Sequence, residues 1–161
     1  MRIDRKALLK GAQLSLRASV AATLSLVLAE LAGLQHPLYA MIAAVIVTDL
    51  SPAQTRMLGA RRLAATVLGA VLGALLCSVL GPSPLAAGFS ILAAMLACHL
   101  LHLDDAAKVA GYICGVVLLY YGADPWAYAL DRSIETVLGI VVASAVSLVP
   151  KLIRREESDA R

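Results

Sequence analysis

The sequence predicts an all-α membrane protein with six transmembrane helices, arranged as two inverted three-helix repeats. Three observations lead to this fold class: an apolar composition, six apolar segments, and basic residues that fall on one side of the predicted membrane. Of the 161 residues, 60% are hydrophobic and 16% are charged, whereas apolar residues make up about 45–50% of a soluble domain. The composition therefore excludes a water-soluble enzyme, and the length suits about six spans of ~20 residues.

Turn-forming residues divide the chain into its apolar segments. Gly81-Pro82-Ser83 and Gly122-Ala123-Asp124-Pro125 have the composition of turns, and Pro37 and Pro84 suit the first turn of a helix. The six predicted helices lie within residues 11–34, 38–50, 63–80, 84–103, 106–122 and 126–149. Residues 11–80 then form the first membrane repeat and residues 81–150 the second.

Basic residues orient the predicted spans. Six alternating crossings place all but one of the 14 Lys and Arg residues on one face, and only Arg132 on the other. Because cationic loops resist transfer out of the cytoplasm, we expect two cytoplasmic termini, a basic segment at residues 1–10 and a charged tail at residues 151–161. This placement accounts for the net charge of +3, so the expected partner is the lipid bilayer and no nucleic acid is expected.

An offset of 70 residues aligns the two halves of the chain without a gap. Thr66-Val67-Leu68-Gly69 then matches Thr136-Val137-Leu138-Gly139, and Arg62 matches Arg132. Three is an odd number of crossings, so the second copy enters the membrane inverted, as in many secondary transporters. The alternative is that any six-helix protein with even spacing aligns with itself by hydropathy.

Small residues form matching rows on the third and sixth predicted helices. Such rows let helix backbones approach closely where lipid supplies no hydrophobic drive for association. We therefore expect these two helices to pack tightly, against each other or across a subunit contact. The predicted helix-packing residues are Gly69 and Gly73, followed by Cys77, and Gly139 and Ala143, followed by Ser147.

The second and fifth segments are short. The second segment, residues 38–50, has about thirteen residues, which at ~1.5 Å each give ~20 Å, less than the ~30 Å hydrocarbon core. A helix that ends inside the membrane leaves backbone groups that need a polar cavity or a ligand. Short segments in matching positions therefore indicate a substrate path beside them, unless the bilayer thins locally.

Arg62 and Arg132 are the predicted binding residues. They open the third and sixth helices at equivalent repeat positions, which puts one toward each mouth of a shared path. A guanidinium matches a carboxylate and remains charged, so the expected cargo is an organic anion. The alternatives are a membrane anchor for Arg62 and, for Arg132, a salt bridge to Asp131 or to Glu135, which lies one helical turn away and would fix the arginine rotamer.

The remaining polar residues indicate no catalytic site. His99 and His102 are three residues apart, but no third ligand has a suitable spacing, so we interpret them as part of a solvated turn and expect no metal. His36 is interpreted as a solvent-facing turn residue. Neither a nucleophile motif nor a phosphate-binding glycine loop occurs, so no enzymatic activity and no cofactor are expected.

Two stretches of the sequence resemble a known family. Residues 38–48 are followed by Arg56, Gly59, Arg61, Arg62 and Gly69, and Asp124-Pro125 is followed by Arg132, Glu135-Thr136 and Gly139. These motifs resemble the fusaric acid resistance and aromatic acid exporter superfamily over residues 11–150.

The resemblance implies a six-helix module of the bacterial inner membrane that exports aromatic or other organic acids and is distantly similar to plant malate channels. Arg62 and Arg132 would line the anion path, with Glu135 beside it, and a single copy would assemble as a homodimer. The soluble domain or second six-helix unit of many family members is not expected here, which puts the regulation assigned to those parts in doubt. The rival hypothesis is a membrane scaffold that binds another membrane protein and moves nothing.

Overall fold

The computed structural model describes residues 5–149, and its regular secondary structure within them is helical. The elements are α1 (Arg5–Leu31), α2 (Leu38–Val47), α3 (Pro52–Leu80), α4 (Pro84–Leu100), a 3₁₀ turn (Asp104–Ala106), α5 (Ala107–Tyr120) and α6 (Pro125–Leu148). Their order agrees with the six predicted segments. The first four residues of the predicted basic N-terminus and the predicted tail at residues 151–161 lie outside the described residues.

Helix starts follow the local sequence chemistry. Proline is the first residue of α3, α4 and α6, where its missing N–H costs no helical hydrogen bond. The Ser83 hydroxyl accepts a hydrogen bond from the Ala86 N–H at 3.1 Å, and the Asp124 carboxylate accepts one from the Ala127 N–H at 3.3 Å. These caps confirm the two turns predicted before α4 and α6.

The third helix begins earlier than predicted. It starts at Pro52 rather than near residue 63, so the prediction that Arg62 opens this helix is wrong. Hydropathy locates the apolar part of a helix, whereas α3 extends through a polar end on which Arg56 is exposed. Ten residues of helix at ~1.5 Å each therefore place Arg62 ~15 Å beyond the start of α3.

Helix lengths divide into long and short elements. Residues Ala7–Leu31 and Pro52–Leu80 are long and apolar enough to cross a membrane. Helix α6 has 24 residues but contains Asp131, Arg132 and Glu135. Helices α2 and α5 have only 10 and 14 residues, which confirms the prediction that the second and fifth helices are short.

The two halves of the chain interlock. The third helix of each half packs against the short middle helix of the other half. Helix α3 packs on α5, and α6 packs on α2. Helices α3 and α6 also contact each other. Helix α1 lies against α2 and α6, while α4 lies against α5 and α3. The short helices therefore lie inside the bundle, between the long helices of both halves.

The rows of small residues face the short helices. A Cβ atom on Gly69 would overlap the backbone of Ala110 in α5, and one on Gly139 would overlap the carbonyl oxygen of Ala40 in α2. Helices α3 and α6 contact each other as expected, but the glycines of the two rows face α5 and α2 rather than each other. Gly73 lies against α5 as well, and Ala143 is fully buried in a cluster that includes Ala44 of α2.

Small side chains fill the interior and large ones cover the outside. Most buried apolar residues are alanines, and the three cysteines are buried and free. Large apolar side chains lie outside instead, with Leu85 and Leu100 exposed by 89% and 82%. A soluble protein buries its large apolar residues, so this distribution suits a bundle whose outer surface contacts lipid.

Replacement of Gly139 by alanine tests the close contact between α6 and α2. The added methyl group must push the two backbones apart, and overpacking of this kind costs about 1–3 kcal/mol. We expect Gly139→Ala to lower the free energy of unfolding, measured by titration of mixed detergent micelles with a denaturing detergent. The matched control is Gly88→Ala on α4, where the Cβ meets nothing within 4 Å. Equal stability of the two variants would contradict the close contact.

Candidate functional site

Arg62 and Arg132 are both buried and meet at one hydroxyl group, that of Tyr112, a residue that is 41% exposed. The Arg62 Nη2 donates to the Tyr112 hydroxyl oxygen at 3.1 Å, and the Arg132 Nη2 donates to the same atom at 2.6 Å. The two arginines thus come from α3 and α6, and Tyr112 comes from the short helix α5. The expectation of one arginine at each mouth is therefore wrong, because Arg62 lies well inside the longer α3.

Both guanidinium groups are buried and incompletely paired. Arg62 and Arg132 are exposed by only 3% and 1%, yet the Nε and Nη1 atoms of each have no hydrogen-bond partner among the described residues. A buried charge is costly unless it is paired and hydrogen-bonded. Four unpartnered nitrogen atoms around one phenol therefore indicate a site that is complete only with further acceptors, such as an anion or water.

Aromatic rings lie on one side of the Arg132 guanidinium group. The Arg132 guanidinium carbon lies 3.5 Å from the centre of the Tyr39 ring, a distance typical of a cation–π contact. Tyr39 in turn packs edge-on against Tyr128, which stacks on Tyr121 with 3.8 Å between ring centres. The site therefore combines cationic groups with flat apolar surfaces.

Glu135 lies in the same region but does not pair with Arg132. Its Oε1 atom accepts a hydrogen bond from the His36 backbone N–H at 2.7 Å, and its Oε2 atom has no partner among the described residues. The ion pairs between described residues do not include Arg132 with either Glu135 or Asp131. The salt bridge weighed as an alternative for Arg132 is thus not formed, and its guanidinium is directed to Tyr112 and Tyr39 instead.

His36 belongs to this cluster. Its Nε2 atom lies 3.0 Å from the Tyr121 hydroxyl oxygen, and its ring is edge-on to the rings of Tyr121 and Tyr128. The side chain is 30% exposed. His36 thus lies in a turn as predicted and is partly exposed, but its ring contacts the tyrosines at the ends of α5 and α6 instead of facing solvent alone.

Arg17 closes the opposite end of the bundle. Its Nη1 atom donates to the Leu50 carbonyl oxygen at 2.8 Å, and its Nη2 atom donates to the Val149 carbonyl oxygen at 2.9 Å. These carbonyl groups follow the ends of α2 and α6, where helical acceptors lack partners. The position 70 residues later is Ala87, so the two halves of the chain differ here.

A small cavity lies beside Arg62. Its volume is about 60 Å³. An ion pair between Arg61 Nη1 and Asp105 Oδ2, 2.5 Å apart, borders it. The lining residues are Ile46, Leu58, Arg61, Arg62, Asp105, Ala106 and Val109. The cavity therefore brings one of the two buried arginines next to a polar end of the bundle.

His99, in the last turn of α4, and His102, just after the helix, lie at a polar end of the bundle. His99 Nδ1 and Asp104 Oδ1 are 2.5 Å apart, and both side chains are at least half exposed. The hydrogen bond from His99 lowers the pKa of the Asp104 carboxyl group. Within residues 5–149, no group of three or more metal-ligating side chains comes together.

A helical bundle with an apolar exterior and buried cationic groups defines the class, a helical membrane protein. The chain belongs to the fusaric acid resistance protein-like family, whose model matches residues 23–146. It is also similar to UPF0421 protein YgaE of Bacillus subtilis (strain 168), with 27% identity over 133 residues. That match covers 83% of this chain but only 38% of the length of the relative. No solved structure matches the chain.

Sequence reasoning missed the aromatic partners of the arginines. Tyr112, Tyr39 and His36 stand in apolar or turn segments where pattern alone gives them no role. One signal was present: the chain has five Tyr but a single Phe, and buried phenol hydroxyls usually require hydrogen-bond partners. That excess of tyrosine indicates polar chemistry inside the bundle.

Removal of the Tyr112 hydroxyl tests its role as shared acceptor. In Tyr112→Phe, two buried guanidinium groups lose a hydrogen bond, and a hydrogen bond to a charged group contributes about 1.5–3 kcal/mol. We expect a loss of unfolding free energy of that order in detergent. Tyr120→Phe is the matched control, because Tyr120 is 79% exposed. The shared-acceptor role is excluded if both variants unfold at the same denaturant concentration.

Proposed function

We propose that this protein moves organic carboxylate anions, preferably aromatic ones, across the bacterial inner membrane. The observation that carries the proposal is the pair of buried guanidinium groups on one hydroxyl, with four nitrogen atoms that lack partners. An incoming carboxylate supplies the missing acceptors, since charge-assisted hydrogen bonds of this type are strong. Transport rather than catalysis is proposed because the site offers charge and shape but no nucleophile with an adjacent base.

The balance of charge favours an anion as cargo. Arg62 and Arg132 bring two positive charges to one hydroxyl, and neither forms an ion pair among the described residues. Membrane helices pair or hydrate such charges because insertion of one costs about 2.5–3.5 kcal/mol. A bound carboxylate would offset part of this positive charge.

Aromatic cargo is supported by the rings beside Arg132. Tyr39 and Tyr128 lie at right angles to each other, so a flat ligand can contact one ring face and one ring edge, the arrangements that aromatic pairs prefer. A carboxylate held between the arginines would leave its ring on this side. The preference for aromatic acids therefore depends on the tyrosines, while binding of the carboxylate depends on the arginines.

We further propose the inverted repeat as the architecture of the path. Gly69 contacts Ala110, and Gly139 contacts Ala40; both glycines and both alanines are separated by 70 residues in the sequence. The helix contacts show the same relation between the two halves, because α3 of the first half packs on α5 of the second, and α6 of the second half packs on α2 of the first. These matched contacts support two related halves that cross at the arginines. Six complete spans, assembly as a homodimer and cytoplasmic termini remain predictions.

Passage of an organic anion requires a wider opening than the cavity beside Arg62. The cavity beside Arg62 has a volume of about 60 Å³, whereas binding sites for small molecules usually have ~300–1,000 Å³. We therefore propose that the described arrangement is a closed one. Helix movements or a second copy of the chain would complete the path.

Anion flux from proteoliposomes tests the function. The full chain is reconstituted with labelled benzoate inside, and we expect Arg132→Ala to lower the efflux rate at least about tenfold, equivalent to ~1.4 kcal/mol, because a buried cation at the binding site is lost. Lys108→Ala is the control, since Lys108 is exposed at the start of α5. A full rate in correctly folded Arg132→Ala would remove the assigned role of this arginine, and no wild-type flux at all would favour the scaffold hypothesis.

Labelling of single cysteines tests the inverted topology. In a variant without the native cysteines, Ala53→Cys at the start of α3 and Pro82→Cys before α4 both carry exposed thiols. One predicted crossing, α3, separates the two positions, so we predict that their thiols lie on opposite sides of the membrane. A membrane-impermeant maleimide should then label only one of the two thiols in sealed vesicles of uniform orientation. Labelling of both from the same side would contradict the inverted repeat.

A further inference from the structure

We propose that Glu135 is a proton-binding site, reached through His36, and that a proton is taken up there when an anion binds between Arg62 and Arg132. The inference rests on the proposed anion function and names its coupled ion. It follows from the position of Glu135, from the groups around it and from two polar side chains, His36 and Tyr121, that lead from it toward the protein surface.

Glu135 is a fully buried carboxyl group with one unsatisfied oxygen. Its exposed fraction is 0%, and its Oε2 atom has no partner among the described residues. The single hydrogen bond to Oε1 comes from the backbone of His36. A buried carboxylate is costly without further hydrogen bonds or an ion pair, and a proton on the free oxygen removes that cost.

The titratable and charged groups around Glu135 and Arg132 come from several elements. One permanent cation is near, Arg132, and its hydrogen bond goes to the hydroxyl that it shares with Arg62 of α3. The other neighbours are neutral phenols, one imidazole and one further carboxylate. Among the described residues, those that act on Glu135 itself are His36 before α2, Tyr121 after α5, and Asp131 and Arg132 in α6, while Tyr39, Tyr112 and Tyr128 contact Arg132, His36 or Tyr121.

His36 joins Glu135 to the surface of the bundle. The Tyr121 hydroxyl oxygen is 3.0 Å from His36 Nε2, and His36 Nδ1 is 3.8 Å from Glu135 Oε1. The Nδ1 atom has no hydrogen-bond partner among the described residues, while the ring is partly exposed. An imidazole accepts a proton on one nitrogen and releases one from the other, so it suits a relay at this position.

The transfer conserves protons and leaves the relay groups neutral. His36 Nδ1 gives its proton to the Glu135 carboxylate through one bridging water molecule, since the two groups are 3.8 Å apart. Nε2 takes the proton of the Tyr121 hydroxyl, and a hydronium ion of the bulk solvent returns a proton to the Tyr121 oxygen and becomes water. The net change is one proton moved from the bulk solvent to Glu135. His36 is left as the other tautomer and returns to the first by exchange with water.

Protonation of Glu135 and anion binding favour each other. An ionised Glu135 lies one helical turn from Arg132 and repels a second carboxylate, whereas a protonated Glu135 leaves both arginine charges to the cargo. By thermodynamic linkage, each ligand raises the affinity of the other by the same factor, which for coupled sites is typically about 5–150-fold.

Benzoate binding to the full chain in detergent tests this coupling. For the wild type, we expect the dissociation constant to fall at least about fivefold as the pH is lowered, with uptake of up to one proton per benzoate, measured with a pH indicator in weak buffer. In Glu135→Gln the side chain is always neutral, so we expect tight binding at every pH and no proton uptake. Glu30→Gln, at an exposed glutamate of α1, should behave as the wild type.

His36 is tested by the rate of proton uptake. In His36→Gln the carboxyl group is retained, so we expect the amount of proton taken up with benzoate to be unchanged and its rate in stopped-flow to fall at least about tenfold. An unchanged rate would overturn the relay. Wild-type binding that is independent of pH, or a wild-type pH dependence in Glu135→Gln, would overturn the coupling.

Infrared spectroscopy separates failure of this inference from failure of the anion function. If the wild type binds no benzoate at any pH, the proposed anion function and its coupling both fail. The proton site is then judged alone, by the carbonyl band of a protonated carboxyl group. A band that titrates with pH and disappears in Glu135→Gln supports the site, and the absence of such a band overturns it.

Discussion

The cost of two buried guanidinium groups constrains the rest of this structure. Arg62 and Arg132 repel each other, and each lies where water is largely excluded. One phenol from α5 serves both, and Tyr39 covers a face of Arg132. Removal of either charge would lower this cost, and we infer that the pair has a use beyond stability. The proposed carboxylate cargo would supply acceptors for the nitrogen atoms that have no partner among the described residues.

The packing of the bundle brings these groups together. Glycines in α3 and α6 let the short helices approach to backbone contact, and the short α5 carries Tyr112 to the point where the two long helices cross. With larger residues in place of Gly69 or Gly139, the short helices would be pushed outward. Interior alanines and exterior leucines have the same origin: association in lipid depends on close contact between backbones rather than on burial of large apolar side chains.

Much of the fold could be predicted from the sequence, and less of the site. Punctuation by proline and glycine located the six helices, and the repeat identified Arg62 and Arg132 as a pair. The start of α3 was predicted too late in the sequence. Arg56, Arg61 and Arg62 lower the hydropathy of this segment, although the segment is helical. The roles of Tyr112 and His36 could not be predicted, since they depend on which helices touch. Local spacing suggested an Arg132–Glu135 pair, but long-range contacts direct these two side chains to different partners.

A crystal of the full chain grown from lipid with 4-iodobenzoate tests the anion site most directly. The iodine atom is located by its anomalous scattering, and its carboxylate by the surrounding density. We predict a carboxylate within hydrogen-bond distance of both Arg62 and Arg132, with the iodinated ring beside Tyr39 and Tyr128. Iodine only on the lipid-facing surface, with the two guanidinium groups bound to water alone, would contradict an anion-binding role for the pair.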